Sequence, residues 1–398
     1  MMESIAIIGD GVASLITLAV LRHAGVPADA IVLYGDSSHP LAYLKRYAQA
    51  VGQQQMRSES SGHLAAQDFP GLAWDDTKRH LRFRPLVASL LDRYNPPLSL
   101  VLEQADRLIE KLGFFDSKVV TRVGRVVRQE ASTPGFALHD VQGNRIADAR
   151  HVILALGHAG LAWPEAIVSS LPHSAISHAY EAPVFQSGQR VAILGSGMAA
   201  AHLWSLALDQ GAQVLALHRR PLCRQQLNAP RQMFSTVGIE AYQGQDSASR
   251  LAFLRELGHG TFPWRLSWEY QWFHARRKGQ LRMIQTELTG VKTLDSNSKI
   301  QLELGTDDKI EVDKLVCATG FVTTALAYPL IAHLIQTNHL PLYGQFMLVA
   351  DNFTVASLSQ PDSVLGVVGA LARWALPVAD TFAGIKYAAR RLVTRLMV

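Results

Sequence analysis

Cysteine is scarce in this sequence: Cys223 and Cys317 are the only two among 398 residues. Two cysteines cannot build a disulfide framework, and neither belongs to a Cys-x-x-Cys pair. A reducing, cytoplasmic setting with two inert thiols is the expectation. Long apolar runs are missing too. No stretch reaches the roughly 18 apolar residues of a membrane-spanning helix, so no membrane span is expected. The start, Met1-Met2-Glu3-Ser4, lacks the basic segment of a secretory signal and enters an apolar strand at once. Charge of one sign is not in large excess: 38 Lys and Arg stand against 33 Asp and Glu, a net of +5. That mildly basic balance suits an anionic small molecule. Without a lysine run interleaved with aromatics or a zinc-finger spacing, it gives no ground for nucleic acid. The histidines form no Ser/His/Asp triad and no metal-ligand spacing. Low-complexity segments and Ser/Gly linkers are also absent.

What is present is a near-repeat. Residues 4–14, Ser-Ile-Ala-Ile-Ile-Gly-Asp-Gly-Val-Ala-Ser, read as a buried strand running into a glycine turn, and residues 190–200 read the same way. Each turn leads into a helical pattern, residues 15–24 and 201–210, which a glycine ends, Gly25 or Gly211. Each helix is followed by a second strand, residues 31–34 and 213–217, so both units begin as βαβ. Each also closes on a buried strand ending in glycine: residues 150–157 at Gly157, and residues 313–321 through Ala318-Thr319-Gly320. Residues 118–128, 135–140 and 145–147 read as an antiparallel excursion before the first closing strand. Residues 288–294, 300–304 and 309–312 read likewise before the second. The stretch 364–370 is a further buried strand with no counterpart in the second unit. Together with a helix from about 378 to 396, it returns to complete the first. The basic end of that helix is read as docked on the body rather than on a membrane surface.

The fold class is therefore α/β: two Rossmann-like three-layer domains, one inserted into the other. Residues 1–187 and 321–398 form the discontinuous first domain. Residues 188–320 form the second, with a helical insert around 243–282.

Gly9-x-Gly11-x-x-Ser14 has the form of a pyrophosphate cradle. Gly9 makes the tight turn, Gly11 leaves room for phosphates, and small Ser14 lets helix and strand pack. The helix dipole and free amides then favour the anion. The residue that binds ribose is left open: Asp36, one place beyond the usual strand end, either serves or only caps the next turn. Gly195-x-Gly197-x-x-Ala200 repeats the motif. Where an NAD site carries an acid stand His218 and then Arg219 and Arg220. An arginine pair attracts a 2′-phosphate that a carboxylate would repel, which favours NADPH over NADH. The bland reading is a solvated loop start, and Arg224 and Arg231 extend either reading.

Paired glycine motifs, the Ala-Thr-Gly end and the order of units resemble two-dinucleotide flavoproteins. Within these, Asp313 to Phe321 resembles the signature of flavin-containing and N-hydroxylating (class B) monooxygenases. The sequence departs from that signature at Cys317, Phe321 and Leu326. It also lacks the Baeyer–Villiger motif between the domains. The resemblance implies FAD in the first domain and NADPH in the second. It implies hydride transfer to the flavin, then oxygenation of a small nucleophilic N or S substrate by dioxygen through a flavin C4a-hydroperoxide. It further implies that residues 53–63 pass over the flavin. There Gln55, Arg57 and Ser58 would contact the flavin or the pyrophosphate, and His63 or Glu59 would face a substrate. Arg57 and His63 are the catalytic candidates, against the alternative of a polar surface loop. Gly157, Thr319 and Gly320 would approach the cofactors, as would Gly369 and Ala370, with the last helix aimed at the flavin O2 edge. Two other readings stay open: an NADPH-dependent flavin reductase or dehydrogenase serving a quinone or partner protein, and a nucleotide-binding redox sensor. Self-association into a homo-oligomer is also left open.

Overall fold

The computed structural model describes residues 3–57, 71–91, 93–129, 134–165, 169, 171–172, 174–257, 260–262, 266–294, 299–306 and 308–397. Ser58, Glu59 and His63 lie outside the described residues. Two parallel sheets organise the rest.

In the first sheet, β1 (Glu3–Ile8) leads through the Gly9 bend into helix α1 (Val12–His23), and β2 (Ile31–Gly35) follows. β1 lies between β2 and β6 (Arg145–Leu154), parallel to both, with Ile5 opposite Ile31 and His151. Because the strand is covered on both faces, it reads as a continuous apolar run, and Ile5 to Ile8 are all buried. β3 (Lys118–Val120) extends the sheet parallel to β2. β4 (Val123–Arg128) and β5 (Phe136–Asp140) form the antiparallel excursion onto the first half of β6. Two expectations change here. Residues 118–120 belong to the parallel sheet, because Lys118 anchors that edge. Residues 145–147 are the start of β6 rather than a separate strand.

The second sheet contains β7 (Ile176–His178), β8 (Arg190–Leu194), β9 (Gln213–His218), β10 (Leu281–Gln285) and β11 (Lys314–Cys317). Their order is β10-β9-β8-β11-β7, all parallel. Its first strand thus comes from upstream of the glycine motif. Alternate residues separate its faces. Val191 and Ile193 pack with Trp204 of helix α2 (Met198–Asp209), while Ala192 and Leu194 pack on a three-stranded antiparallel sheet, residues 288–312. Sheet, helices and antiparallel cover make the three layers.

The segment expected as a helical insert divides its packing. Thr236–Gln243 and Ser247–Leu257 lean on the first unit: Tyr242 Oη donates to the Trp374 carbonyl at 3.1 Å, and Arg250 meets Asp351 at 2.8 Å. Leu266–Arg277 instead packs on α2, where Trp272 Nε1 donates to Ser205 Oγ at 3.1 Å within a cluster of Trp204, Phe262 and Trp268. Residues 281–282 already belong to β10. No helix among the described residues is long and apolar enough to cross a membrane.

The C-terminal return is as the sequence suggests. β12 (Leu365–Val367) pairs parallel with the second half of β6, Leu365 opposite Val152. Gly366 carries no side chain because Leu392 of helix α3 (Phe382–Leu396) packs there: a Cβ would lie 2.9 Å from Leu392 Cδ2. α3 starts later than expected, at a Thr381 cap that accepts from Gly384 N at 3.0 Å.

Buried His151 fastens this edge, its Nδ1 accepting from Val364 N at 3.2 Å. Burial, with Arg150 nearby, pushes its imidazole down to about 4, whereas the unfolded chain titrates near ~6.5. The unfolded chain therefore takes up the proton first. Stability is full above about pH 6.5 and falls as the pH drops toward 4, by about 3 kcal/mol at the limit. Melting curves at neutral pH and at about pH 5 should show this loss. In His151→Gln, which keeps an acceptor for Val364 but has no proton to gain, the loss should be much smaller.

Candidate functional site

The two glycine bends are near copies in space. Gly9 N donates to Tyr34 O at 2.8 Å, and Gly195 N to Leu217 O at 2.9 Å. Ala155 N donates to Ile8 O, and Ala318 N to Leu194 O, each at 2.8 Å. Gly9 sits at φ +108° and Gly195 at φ +140°. At either, a Cβ would lie 2.4 Å from the carbonyl oxygen of the closing strand, Ala155 or Ala318. Helices α1 and α2 then start at Gly11 (φ −87°, ψ −164°) and Gly197 (φ −93°, ψ −169°), neither with a side-chain cap. Free amides at an uncapped N-terminus are what a phosphate uses. Ser14 adds a bond the motif does not require, its hydroxyl donating to Gly9 O at 2.6 Å. Its counterpart Ala200 is fully buried.

Gly157 (φ +69°) and Gly320 (φ +81°) follow the closing strands, and a Cβ at either would meet nothing within 4 Å among the described residues. They leave backbone open to the space above the sheets. The chain crosses between the units here as a short antiparallel pair. Ala162 N donates to Gly320 O at 3.0 Å, Val322 N donates to Gly160 O at 2.9 Å, and Thr319 Oγ1 donates to the Ala162 carbonyl. The residues after the two glycines stack, His158 on Phe321 at 4.2 Å and 8°, and Phe321 stacks on Tyr180 at 5.0 Å and 13°. Burial holds the His158 imidazole below its ordinary value. Tyr328 Oη donates to Gly157 O at 2.8 Å.

A pocket opens at the ends of β6 and β12, where dinucleotides enter such sheets. His158, Tyr328, Gln345, Ala370 and Arg373 line it. Gly369 (φ +74°) turns the chain into it. The Arg373 Nε is buried there with no hydrogen-bond partner among the described residues. A second crevice, between Gln55, Met56 and Asn95 on one side and Met198, His202 and Trp268 on the other, separates the two units.

Several candidates sit differently from expectation. Asp36 is exposed at the end of β2. The buried acid is Asp10, inside the glycine motif. It accepts from Ser37 N at 2.8 Å and pairs with Lys118 Nζ at 2.6 Å. Gly35 makes room for it, since a Cβ there would lie 2.2 Å from Asp10 Cγ. Sequence reading missed this triad; a glycine where an acid usually ends the strand was the available sign. Arg57, expected over a flavin, instead donates to the carbonyls of Gln225 (2.7 Å), Gln226 (2.8 Å), Leu227 and Thr261 (3.0 Å). Gln55 keeps its side chain at the crevice, while its backbone bridges Pro97. Arg219 and Arg220 are exposed beyond buried His218, whose Nδ1 meets the Arg220 carbonyl at 2.8 Å and turns the chain outward. Arg224 is paired with Glu269 at 3.0 Å. Burial pushes the Cys317 thiol up to about 12, which fits an inert packing role.

No protein-family model and no curated protein matches the sequence. Solved structures do match, over the whole chain. An ornithine N-hydroxylase of Kutzneria, solved with reduced FAD, NADP+ and L-ornithine, superposes with a TM-score of 0.75 at 14% identity, covering 100% of this chain and 99% of the other. DfoA, a cadaverine monooxygenase of Erwinia amylovora bound to FAD, gives 0.75 at 16%, covering 100% and 94%. The L-lysine 6-monooxygenase of Pseudomonas syringae gives 0.72 at 17%, covering 100% and 99%. The chain has the two-domain α/β fold of these enzymes.

Proposed function

We propose that this chain is an FAD-dependent, NADPH-using oxidoreductase, a monooxygenase that hydroxylates the nitrogen of a small amine. The observation carrying the reading is the pair of matching phosphate cradles joined by one short hinge. The open face at Gly11 and the free backbone at Gly157 fit FAD. Arg219 and Arg220, exposed just beyond the strand Gln213–His218, support NADPH over NADH by their charge. The full-length likeness to hydroxylases of ornithine, lysine and cadaverine suggests the substrate class. When bound, FAD supplies two-electron chemistry and oxygen activation. The protein's part is to orient the nucleotides and exclude water, with His158, buried Tyr328 and half-buried Arg373 around the pocket.

The balanced reaction takes one amine, one dioxygen, one NADPH and one proton to one hydroxylamine, one water and NADP+. FAD-loaded protein given NADPH, air and each of ornithine, lysine and cadaverine should form hydroxylamine with at least one of them, in step with NADPH consumed. Hydrogen peroxide alone from all three, with NADPH oxidation continuing anaerobically on an added quinone, would replace this reading with that of an electron-transfer reductase.

A further inference from the structure

The two cradles differ in what approaches the second glycine. Beside Gly11, a Cβ would meet nothing within 4 Å among the described residues. Beside Gly197 it would lie 3.5 Å from Gly260 Cα. The second glycine of this motif is bare so that phosphates can come close, and here the chain's own backbone comes close instead. The approach leaves no room for a side chain: a Cβ on Gly260 would lie 2.6 Å from Gly197 N and 2.9 Å from Ser196 C.

Residues 260–262 are fastened in this place from three sides. Thr261–Phe262 pairs with Cys223–Arg224 as a two-residue parallel ladder, and Gln225 N donates to Phe262 O at 3.0 Å. Phe262 is 1% exposed among Trp204 and Trp272. Arg57 reaches over from the first unit and ties Thr261 to residues 225–227 through their carbonyls. Burial lowers the guanidinium to about 10, still fully charged at neutral pH.

We propose that residues 260–262 form a strap that covers the second cradle at rest, that a dinucleotide pyrophosphate must displace it to bind, and that Arg57 is its fastener. This rests on the NADPH reading above. It makes Arg57 a positioning residue that acts through the strap. A ligand that binds only a strap-open state has its apparent affinity reduced by the fraction of protein in that state. Loosening the strap should therefore tighten nucleotide binding.

The test is equilibrium binding of NADP+ and of adenosine 2′-monophosphate, which has no pyrophosphate, to the full-length FAD-loaded protein. Arg57→Met removes the fastener. Gly260→Ala adds a methyl that cannot sit against Gly197. Each should bind NADP+ about tenfold more tightly than the parent, for a strap open in roughly a tenth of molecules. Affinity for adenosine 2′-monophosphate should not change. In the parent, NADP+ should speed amide exchange in residues 223–226 and 260–262. Retained FAD and a single cooperative melting transition identify a variant whose fold is intact, and either variant suffices.

If folded variants bind NADP+ no better than the parent, or if NADP+ slows exchange in these segments, the strap is part of the nucleotide site and the inference is overturned while the NADPH reading stands. If neither parent nor variants bind NADP+ or NADPH, both fall.

Discussion

Gly11→Val should give a folded protein that purifies without flavin colour, whereas Gly9→Ala should give little folded protein at all. The two glycines share one motif, so a reading of the bend as a mere structural turn would predict similar damage from both. The geometry separates them. Gly11 sits at φ −87°, open to any residue, and a Cβ there meets nothing within 4 Å among the described residues. A valine therefore costs the empty fold little, but it fills the space that the proposed FAD site needs for phosphates. Affinity for FAD should fall at least a hundredfold, about 2.8 kcal/mol. Gly9 sits at φ +108°, where a side chain adds roughly 1–3 kcal/mol of strain. Its Cβ would also lie 2.4 Å from Ala155 O in the central closing strand, which cannot move aside without disturbing β6. Such a clash belongs among the few substitutions that exceed about 4 kcal/mol. Melting curves and visible spectra after FAD addition report both effects. A yellow Gly11→Val protein with parental affinity would refute the cradle.

The second large effect is expected at Lys118. Its ammonium is buried against Asp10 and also donates to the Ser37 carbonyl. Lys118→Met leaves a buried carboxylate with, among the described residues, only the Ser37 amide as partner. Removing one member of a buried ion pair typically destabilises by about 3–5 kcal/mol, because the remaining charge is still out of water. Denaturant unfolding should show a loss of that order. The double variant Asp10→Asn, Lys118→Met should recover much of it, since no uncompensated charge remains. Binding of FAD should weaken in Lys118→Met beyond the stability loss, because the triad holds the end of β2 against the glycine bend. A change below about 1 kcal/mol would mean that the pair is solvated and does not organise this corner.

The sequence carried the two glycine bends because their signals are local. Gly9, Gly11, Gly195 and Gly197 stand between a strand and a helix, each at the spacing that the turn imposes. The closing strands ending at Gly157 and Gly320 and the returning strand before Gly369 were legible for the same reason: apolar runs and terminal glycines lie within a few residues of each other. What escaped depends on partners distant in the chain. Asp10 is ordinary in sequence until Lys118 is folded against it. Arg57 sits in a polar stretch that suggests a loop over a cofactor, and only the fold brings residues 225–227 and 261 to its guanidinium. Ile176–His178 is too short to announce itself as a strand, and it becomes one by pairing with β11. Gly260 reads as one more loop glycine until its backbone is found against Gly197.

The most direct trial is to add NADPH without oxygen to the purified, FAD-supplemented protein and follow the flavin absorbance. Two cradles serving two nucleotides predict a bound, yellow flavin that one equivalent of NADPH bleaches, with NADH slower. A sample that takes up no FAD, or holds it and keeps its colour whatever the nicotinamide supplied, would contradict the account.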